Sequence, residues 1–258
     1  MIAQIVDRTR QRVAQEKKSR KNREIQLRAE SMPRGEFEVE RELARKGLSL
    51  ICEIKKASPD MGVIVPYFPY VNMAQEYAAA GVPLISVWTE PYFYLGSEEY
   101  LREIAAKVMV PVIDKDFVID EYQIYKARYN GAAGIFLMAG ILSLAELMEY
   151  IRICDRLGMS ALVEVYTEAE VQQAVQAGAR VIVINNRDLE TFAVDIEHSI
   201  QLSAGIPHGI YKVSEGGIKT QEQVQRLQEA GMDGLLLSEV LMRGQDRKTM
   251  IRYLKGEL

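Results

Sequence analysis

The chain has 258 residues, 48% hydrophobic and 26% charged, with a formal net charge of −4 and two cysteines. This composition excludes the disordered and membrane-embedded classes, offers no basic surface for nucleic acid, and gives neither the number nor the spacing of cysteines that a disulfide framework or a metal site needs. The length matches the roughly 250 residues of a single (β/α)8 barrel, a fold that runs as one domain at this size.

The amino-terminal MIAQIVDRTRQRVAQ is charged and amphipathic without an apolar signal core, and no run approaches the ~18 apolar residues of a membrane span. A cytoplasmic protein with two unpaired cysteines is expected. Residues 1–47 carry two helical patterns, one ending before Met32-Pro33-Arg34-Gly35 and one running through FEVERELARK. They predict a helical extension over 1–47 ahead of a barrel over 48–258, with the Lys and Arg residues of QRVAQEKKSRKNR (11–23) on a solvated helix face. His198 and His208 stand without Ser or Cys partners and read as structural.

From residue 49 onward, apolar runs of four to six residues alternate with helical patterns, which predicts a parallel sheet. Strands are expected near 49–54, 84–88, 111–115, 134–138, 161–165, 181–185, 210–214 and 234–237. Helices are expected near 70–80, 97–107, 120–130, 143–157, 167–177, 196–204, 220–230 and 246–256. AAAGVP, YNGAAG, VQAGAR and QEAGMD each place Gly just past a helix, where a left-handed residue turns the chain. The fold class is therefore α/β, a (β/α)8 TIM barrel with an added amino-terminal helical segment.

Several apolar runs stop at a charged or polar residue. In SLICEIKKASP, SALVEVY and RVIVINNRD, period-two alternation puts Glu53, Lys55, Glu164 and Asn185 on the inward side. Charged groups at the carboxyl ends of separate buried strands mark the active mouth of such a barrel; a structural network of buried ion pairs is the bland alternative.

CEIKKASP, KDF, LVEVYTEAE, INNRDLETF, VSEGGIKT and LMRG, in this order, resemble the indole-3-glycerol phosphate synthase family over essentially the full chain. The resemblance implies a lyase of tryptophan biosynthesis that closes the indole ring of a carboxyphenylamino-deoxyribulose phosphate with loss of carbon dioxide and water, without metal or organic cofactor. It implies Lys115 as general acid, Glu164 as base, Lys55 on the carboxylate or as a second acid, and Glu53 and Asn185 as orienting groups. The phosphate would sit at Ser58, Gly216, Gly217 and the turn carrying Ser238 and Glu239, on backbone N–H groups at a helix amino terminus. Arg187 joins the substrate contacts.

The same comparison exposes departures. Val183 stands where the family has Gly two residues before the strand's Asn, and Trp88, Phe136 and Met138 replace smaller aliphatic residues. With Ile113, Leu162 and Leu236 they predict a bulky apolar ligand wall, with Trp88 either barrel filler or a stacking platform. Gly216 and Ser238 replace the family's Ser and Gly, and Asp60 and Asp114 add carboxylates. Gathered at the pocket, these changes predict a barrel remodelled by design for another reaction: base-catalysed proton abstraction and ring opening of a small aromatic, as in Kemp elimination. Glu164, Asp114 and Glu53 are the candidate bases, and Asp114 is also compatible with facing the helices. Authentic ring closure is the alternative activity, and a catalytically silent barrel a third reading. A monomer acting on a small aromatic substrate is expected, with no nucleic-acid or membrane partner.

Overall fold

The computed structural model describes residues 1–188, 191, 193–242 and 246–257, apart from the side chains of residues 20–23. Eight strands form a closed parallel barrel: β1 (Ser49–Ile54), β2 (Leu84–Trp88), β3 (Val112–Lys115), β4 (Gly134–Met138), β5 (Ser160–Val165), β6 (Val181–Asn185), β7 (Tyr211–Glu215) and β8 (Gly234–Leu237). Each pairs with the next in chain order, and β8 returns to β1 through Ser49 opposite Gly234 and Cys52 opposite Leu237. Closure removes every sheet edge, so the backbone groups of all eight strands find partners.

The helices are α1 (Ile2–Glu16), α2 (Arg20–Ser31), α3 (Glu38–Leu43), α4 (Tyr70–Ala79), α5 (Glu98–Ala105), α6 (Glu121–Tyr129), α7 (Leu144–Leu157), α8 (Glu168–Gln176), α9 (Glu197–Ser203), α10 (Gln221–Glu229), α11 (Glu239–Met242) and α12 (Arg247–Leu254). Ser143 with Glu146, and Thr220 with Gln223, form reciprocal capping boxes at the starts of α7 and α10. The glycines predicted to end helices, Gly81, Gly131, Gly178 and Gly231, all have φ between +71° and +94°. No helix among the described residues is long and apolar enough to cross a membrane.

Strand alternation separates two cores. Leu50, Cys52, Ile54, Ile85, Val87, Ile135, Leu137, Ile182 and Ile184 face outward and are buried under the helices. Ile51, Leu84, Ile113, Phe136, Leu162, Val181, Val183, Val213 and Leu236 fill the barrel interior. This inner plug sets the depth at which the mouth begins.

The extension holds three helices, where the sequence predicts two. α3 caps the amino-terminal end of the barrel, its Val39 and Leu43 joining the inner cluster. A Cβ on Gly234 would lie 2.8 Å from Leu43 Cδ2, so β8 begins with the residue that leaves room for this plug. α1 crosses the opposite end, its Ile5 packing with Trp88, Phe117 and Met138. The chain breaks at Ser19, extended at φ −77° and ψ 145°, because α1 is pinned by Lys17 on Asp120 at 2.7 Å while α2 turns to place Arg28 on the Tyr129 hydroxyl at 3.1 Å. Arg12, read as solvated, is instead buried on Asp116 at 2.5 Å.

Candidate active site

Three strand ends place charge at one height. Trp88 is in register with Lys115, Met138 with Glu164, and Asn185 with Glu215, so each pair points into the mouth side by side. Lys115 is 1% exposed at its side chain, and its Nζ lies 3.6 Å from Glu53 Oε1 and 3.7 Å from Glu164 Oε2. It donates to Glu215 and stands 4.4 Å above the Phe136 ring centre. Burial by itself would lower the pKa of this ammonium; Glu215, Glu164 and Glu53 more than reverse that and hold it charged.

The carboxylates differ in environment. Glu53 is buried, which favours its neutral form, but Lys55 at 3.4 Å and Lys115 outweigh burial and hold its pKa below the usual range. It also accepts from Trp88 Nε1 at 2.9 Å. Glu215 is pushed up to about 7 by burial, with Lys115 opposing and Glu164 and Glu53 adding to the rise. Glu164 Oε1 accepts from Asn185 Nδ2 at 2.9 Å, whereas Oε2 has no hydrogen-bond partner, as is true of Glu215 Oε2. The Lys115 ammonium among three carboxylates, two of which keep an unsatisfied buried oxygen, can exchange protons with a ligand.

Around this group lies a cavity lined by Lys55, Ser58, Asp60, Arg187, Gly216, Gly217, Ser238 and Glu239 on its polar side, with Leu236 at its base. Gly216 and Gly217 sit at φ +97° and +75°, so this turn after β7 holds two consecutive left-handed residues. Arg187 spans the mouth, pairing with Asp60 at 2.9 Å and Glu239 at 2.5 Å. The apolar side is Ile5, Trp88, Tyr94, Phe117 and Met138. Tyr94 stacks on Trp88 with ring centres 3.6 Å apart and planes within 5°. It is held there by the loop after β2, in which the Glu90 carboxylate accepts from the backbone N–H groups of Tyr92, Phe93 and Tyr94.

Several expected placements change. Asp114 does not enter the mouth: one residue before an inward lysine, it faces the helices, accepts from Thr89 Oγ1 at 2.7 Å and lies with Arg12, Asp116 and Lys126. Burial, with the Asp116 charge second, pushes it up to about 8. Ile113, Phe136, Leu162 and Val183 form the sealed layer below the cavity rather than its wall, each 0% exposed. Trp88 borders the cavity, but Tyr94 already covers one face of its indole. Glu215, Tyr94, Phe117, Met1 and the α1 residues Ile2 and Ile5 also line the cavity, and the sequence does not single them out. Glu215 was within reach of strand alternation, since it ends β7 as Glu164 nearly ends β5. The sequence predicts an amino-terminal segment that covers the barrel, without fixing that α1 is the part over the mouth. Leu189, Glu190 and Phe192 of INNRDLETF, and Arg243 and Gly244 of LMRG, lie outside the described residues.

A closed (β/α)8 barrel with a lysine–carboxylate cluster at the carboxyl ends of its strands is the architecture of a barrel enzyme with acid–base chemistry in its mouth. Solved barrels share the fold: 3-hexulose-6-phosphate synthase from Salmonella typhimurium superposes with a TM-score of 0.67 at 14% identity, over 81% of this chain and 97% of that one. Thiamine phosphate pyrophosphorylase from Pyrococcus furiosus gives 0.62 at 15% identity, over 81% and 94%. The sequence is more specific. The pattern of the indole-3-glycerol phosphate synthase family matches residues 2–254, and this chain belongs to that family. The Lachnoclostridium phytofermentans indole-3-glycerol phosphate synthase is 41% identical over 270 residues, covering 100% of both chains. That of Lacticaseibacillus casei is 47% identical over 213 residues, 83% of this chain and 82% of its own. This end-to-end relationship overturns the expectation that the barrel performs Kemp elimination, and its mouth holds a charged cluster, where that elimination asks for a neutral slot.

Proposed function

We propose that the protein is an indole-3-glycerol phosphate synthase, closing the indole ring of a carboxyphenylamino-deoxyribulose phosphate with loss of carbon dioxide and water. The observation that carries this reading is the Lys115 ammonium buried among Glu53, Glu164 and Glu215 in a chain related to the family from end to end.

Ring closure forms a bond from the carboxylate-bearing ring carbon to the ketone carbon of the sugar chain. Negative charge develops on the ketone oxygen, and Lys115 protonates it. Lys55, at the edge of the cavity, holds the substrate carboxylate until carbon dioxide leaves and the ring regains aromaticity. Once carbon dioxide has left, Lys55 acts as second acid and protonates the new hydroxyl, which departs as water, and Glu164 Oε2 takes the proton released as the second double bond of the five-membered ring forms. Asn185 fixes Glu164 by its amide N–H, and Glu53 helps to hold Lys115 charged and pairs with Lys55 at 3.4 Å. Glu215, near 7 and in contact with Lys115, returns the proton to it. Placing the acid and the base on different rigid strands spares reorganisation at the moment of reaction. The sugar phosphate goes to the turns at Gly216, Gly217 and Ser238, and the aromatic ring to the side of Phe117, Tyr94 and Met138. Steady-state formation of the indole product from this substrate, with Lys115→Met and Glu164→Gln as paired controls, tests the assignment; a folded, inactive wild-type protein would reject it.

A further inference from the structure

The loop after β1 carries a carboxylate into the part of the mouth that offers donors to an anion. Ala57–Ser58 pairs antiparallel with Gly62–Val63, Ala57 opposite Val63 and Ser58 opposite Gly62. Gly62 at φ +63° closes this small hairpin, and Asp60 stands at its tip. One carboxylate oxygen accepts from Ser58 Oγ at 2.6 Å and the other from Arg187 Nη1 at 2.9 Å. The second terminal nitrogen of Arg187 is on Glu239 at 2.5 Å. Asp60 therefore receives two donors on two oxygens, as a bound carboxylate or phosphate ligand does. Burial works against its charge, but the Ser58 hydroxyl and the Arg187 guanidinium keep it ionised.

We propose that Asp60 is a specificity-determining residue, an internal carboxylate that competes with the anionic groups of the substrate for Ser58 and Arg187. The inference rests on the reading of the mouth as a site for an anionic substrate. An orienting role for Asp60 is the simple alternative, and it makes the opposite prediction. An orienting carboxylate leaves the guanidinium aimed at the ligand with donors to spare, so removing it weakens ligand binding. Here Asp60 lines the cavity itself, so that its charge lies beside any bound anion, and it occupies one N–H of Arg187 and the Ser58 hydroxyl. A substrate anion has to displace Asp60 and then sit beside its charge, whereas a neutral analogue does not, so the residue lowers affinity for anions selectively.

Trp88 is the only tryptophan of the chain and borders the same cavity, so its fluorescence reports binding without turnover. Inorganic phosphate and benzoate, titrated separately at fixed ionic strength, probe the two anion chemistries of the substrate. Asp60→Asn and Asp60→Ser are expected to tighten at least one of the two by about two- to fivefold, the range for a partly exposed ion pair. KM for the ring-closure substrate should fall by a similar factor while kcat moves less, and Asp60→Glu should bind as weakly as the wild type. If Asn and Ser at position 60 leave both anions bound as weakly as in the wild type, or more weakly, the proposal is wrong and Asp60 orients Arg187. The fluorescence arm decides the matter even if no variant turns over the substrate, so failure here is separable from failure of the proposed activity.

Discussion

Replacing Lys115 by Met removes one charge and leaves three buried carboxylates facing one another. With Nζ 3.6 Å from Glu53 and 3.7 Å from Glu164, each attraction amounts to about 4–5 kcal/mol at an effective dielectric near 20. Desolvation offsets much of this, and breaking a buried pair by removing one partner costs about 3–5 kcal/mol. The variant has one escape, which is proton uptake by Glu53 and Glu215, whose charged forms Lys115 favours. Their folded pKa values then lie above the unfolded value of ~4.3, so the variant keeps its stability below about pH 4 and loses it as pH rises through the folded values. The stability gap between wild type and Lys115→Met should accordingly be small near pH 4.5 and reach about 3–5 kcal/mol at pH 8. Urea denaturation at the two pH values measures it. Ring-closure turnover should fall by about 10²–10⁴, the usual cost of losing a general acid. A variant as stable as the wild type at pH 8, or one turning over within about tenfold of it, would refute the account of Lys115 as both the charge that holds this site together and its acid.

Glu164→Gln should lower kcat by about 10²–10⁴ with little change in KM, whereas Asn185→Ala, which only frees the Glu164 carboxylate, should cost much less; steady-state kinetics on the two variants separates base from orienting group. Asp114, raised to about 8, contributes stability that is present at low pH and lost as pH rises toward 8, so Asp114→Asn should gain on the wild type between pH 5 and pH 9 in urea midpoints. Its turnover should stay within about threefold of wild type, since Asp114 faces the helices. Arg12→Ala breaks the buried pair with Asp116 and should cost about 3 kcal/mol, lowering Tm by about 6–12 °C in a scan.

The barrel was legible because parallel strands buried on both faces read as short apolar runs with fixed punctuation; the eight expected strands agree with the eight observed to within one residue at each end. The same alternation located Glu53, Lys55, Glu164 and Asn185. It also carries Asp114 away from the mouth, because the residue before an inward-facing Lys115 faces outward. Glu215 escaped selection although the same rule reaches it. Tyr94 and Ile5 were illegible for a different reason: they enter the mouth from a loop and from the amino-terminal helix, where no strand period fixes direction. The apolar layer was identified correctly as inward-facing but placed one level too high, since side-chain alternation gives the face of the sheet and not the depth along the barrel axis. That misplacement made Val183 and Phe136 look like a redesigned ligand wall, when they are the floor under Lys115.

Indole-ring closure is the activity proposed for this mouth. The direct measurement is the wild-type protein incubated with the carboxyphenylamino-deoxyribulose phosphate, following indole absorbance and released carbon dioxide together, beside Lys115→Met under the same conditions. One carbon dioxide per indole formed is expected, with near-complete loss of both in the variant. A folded wild-type protein that releases neither, or a Lys115→Met protein that releases both at the wild-type rate, would contradict it.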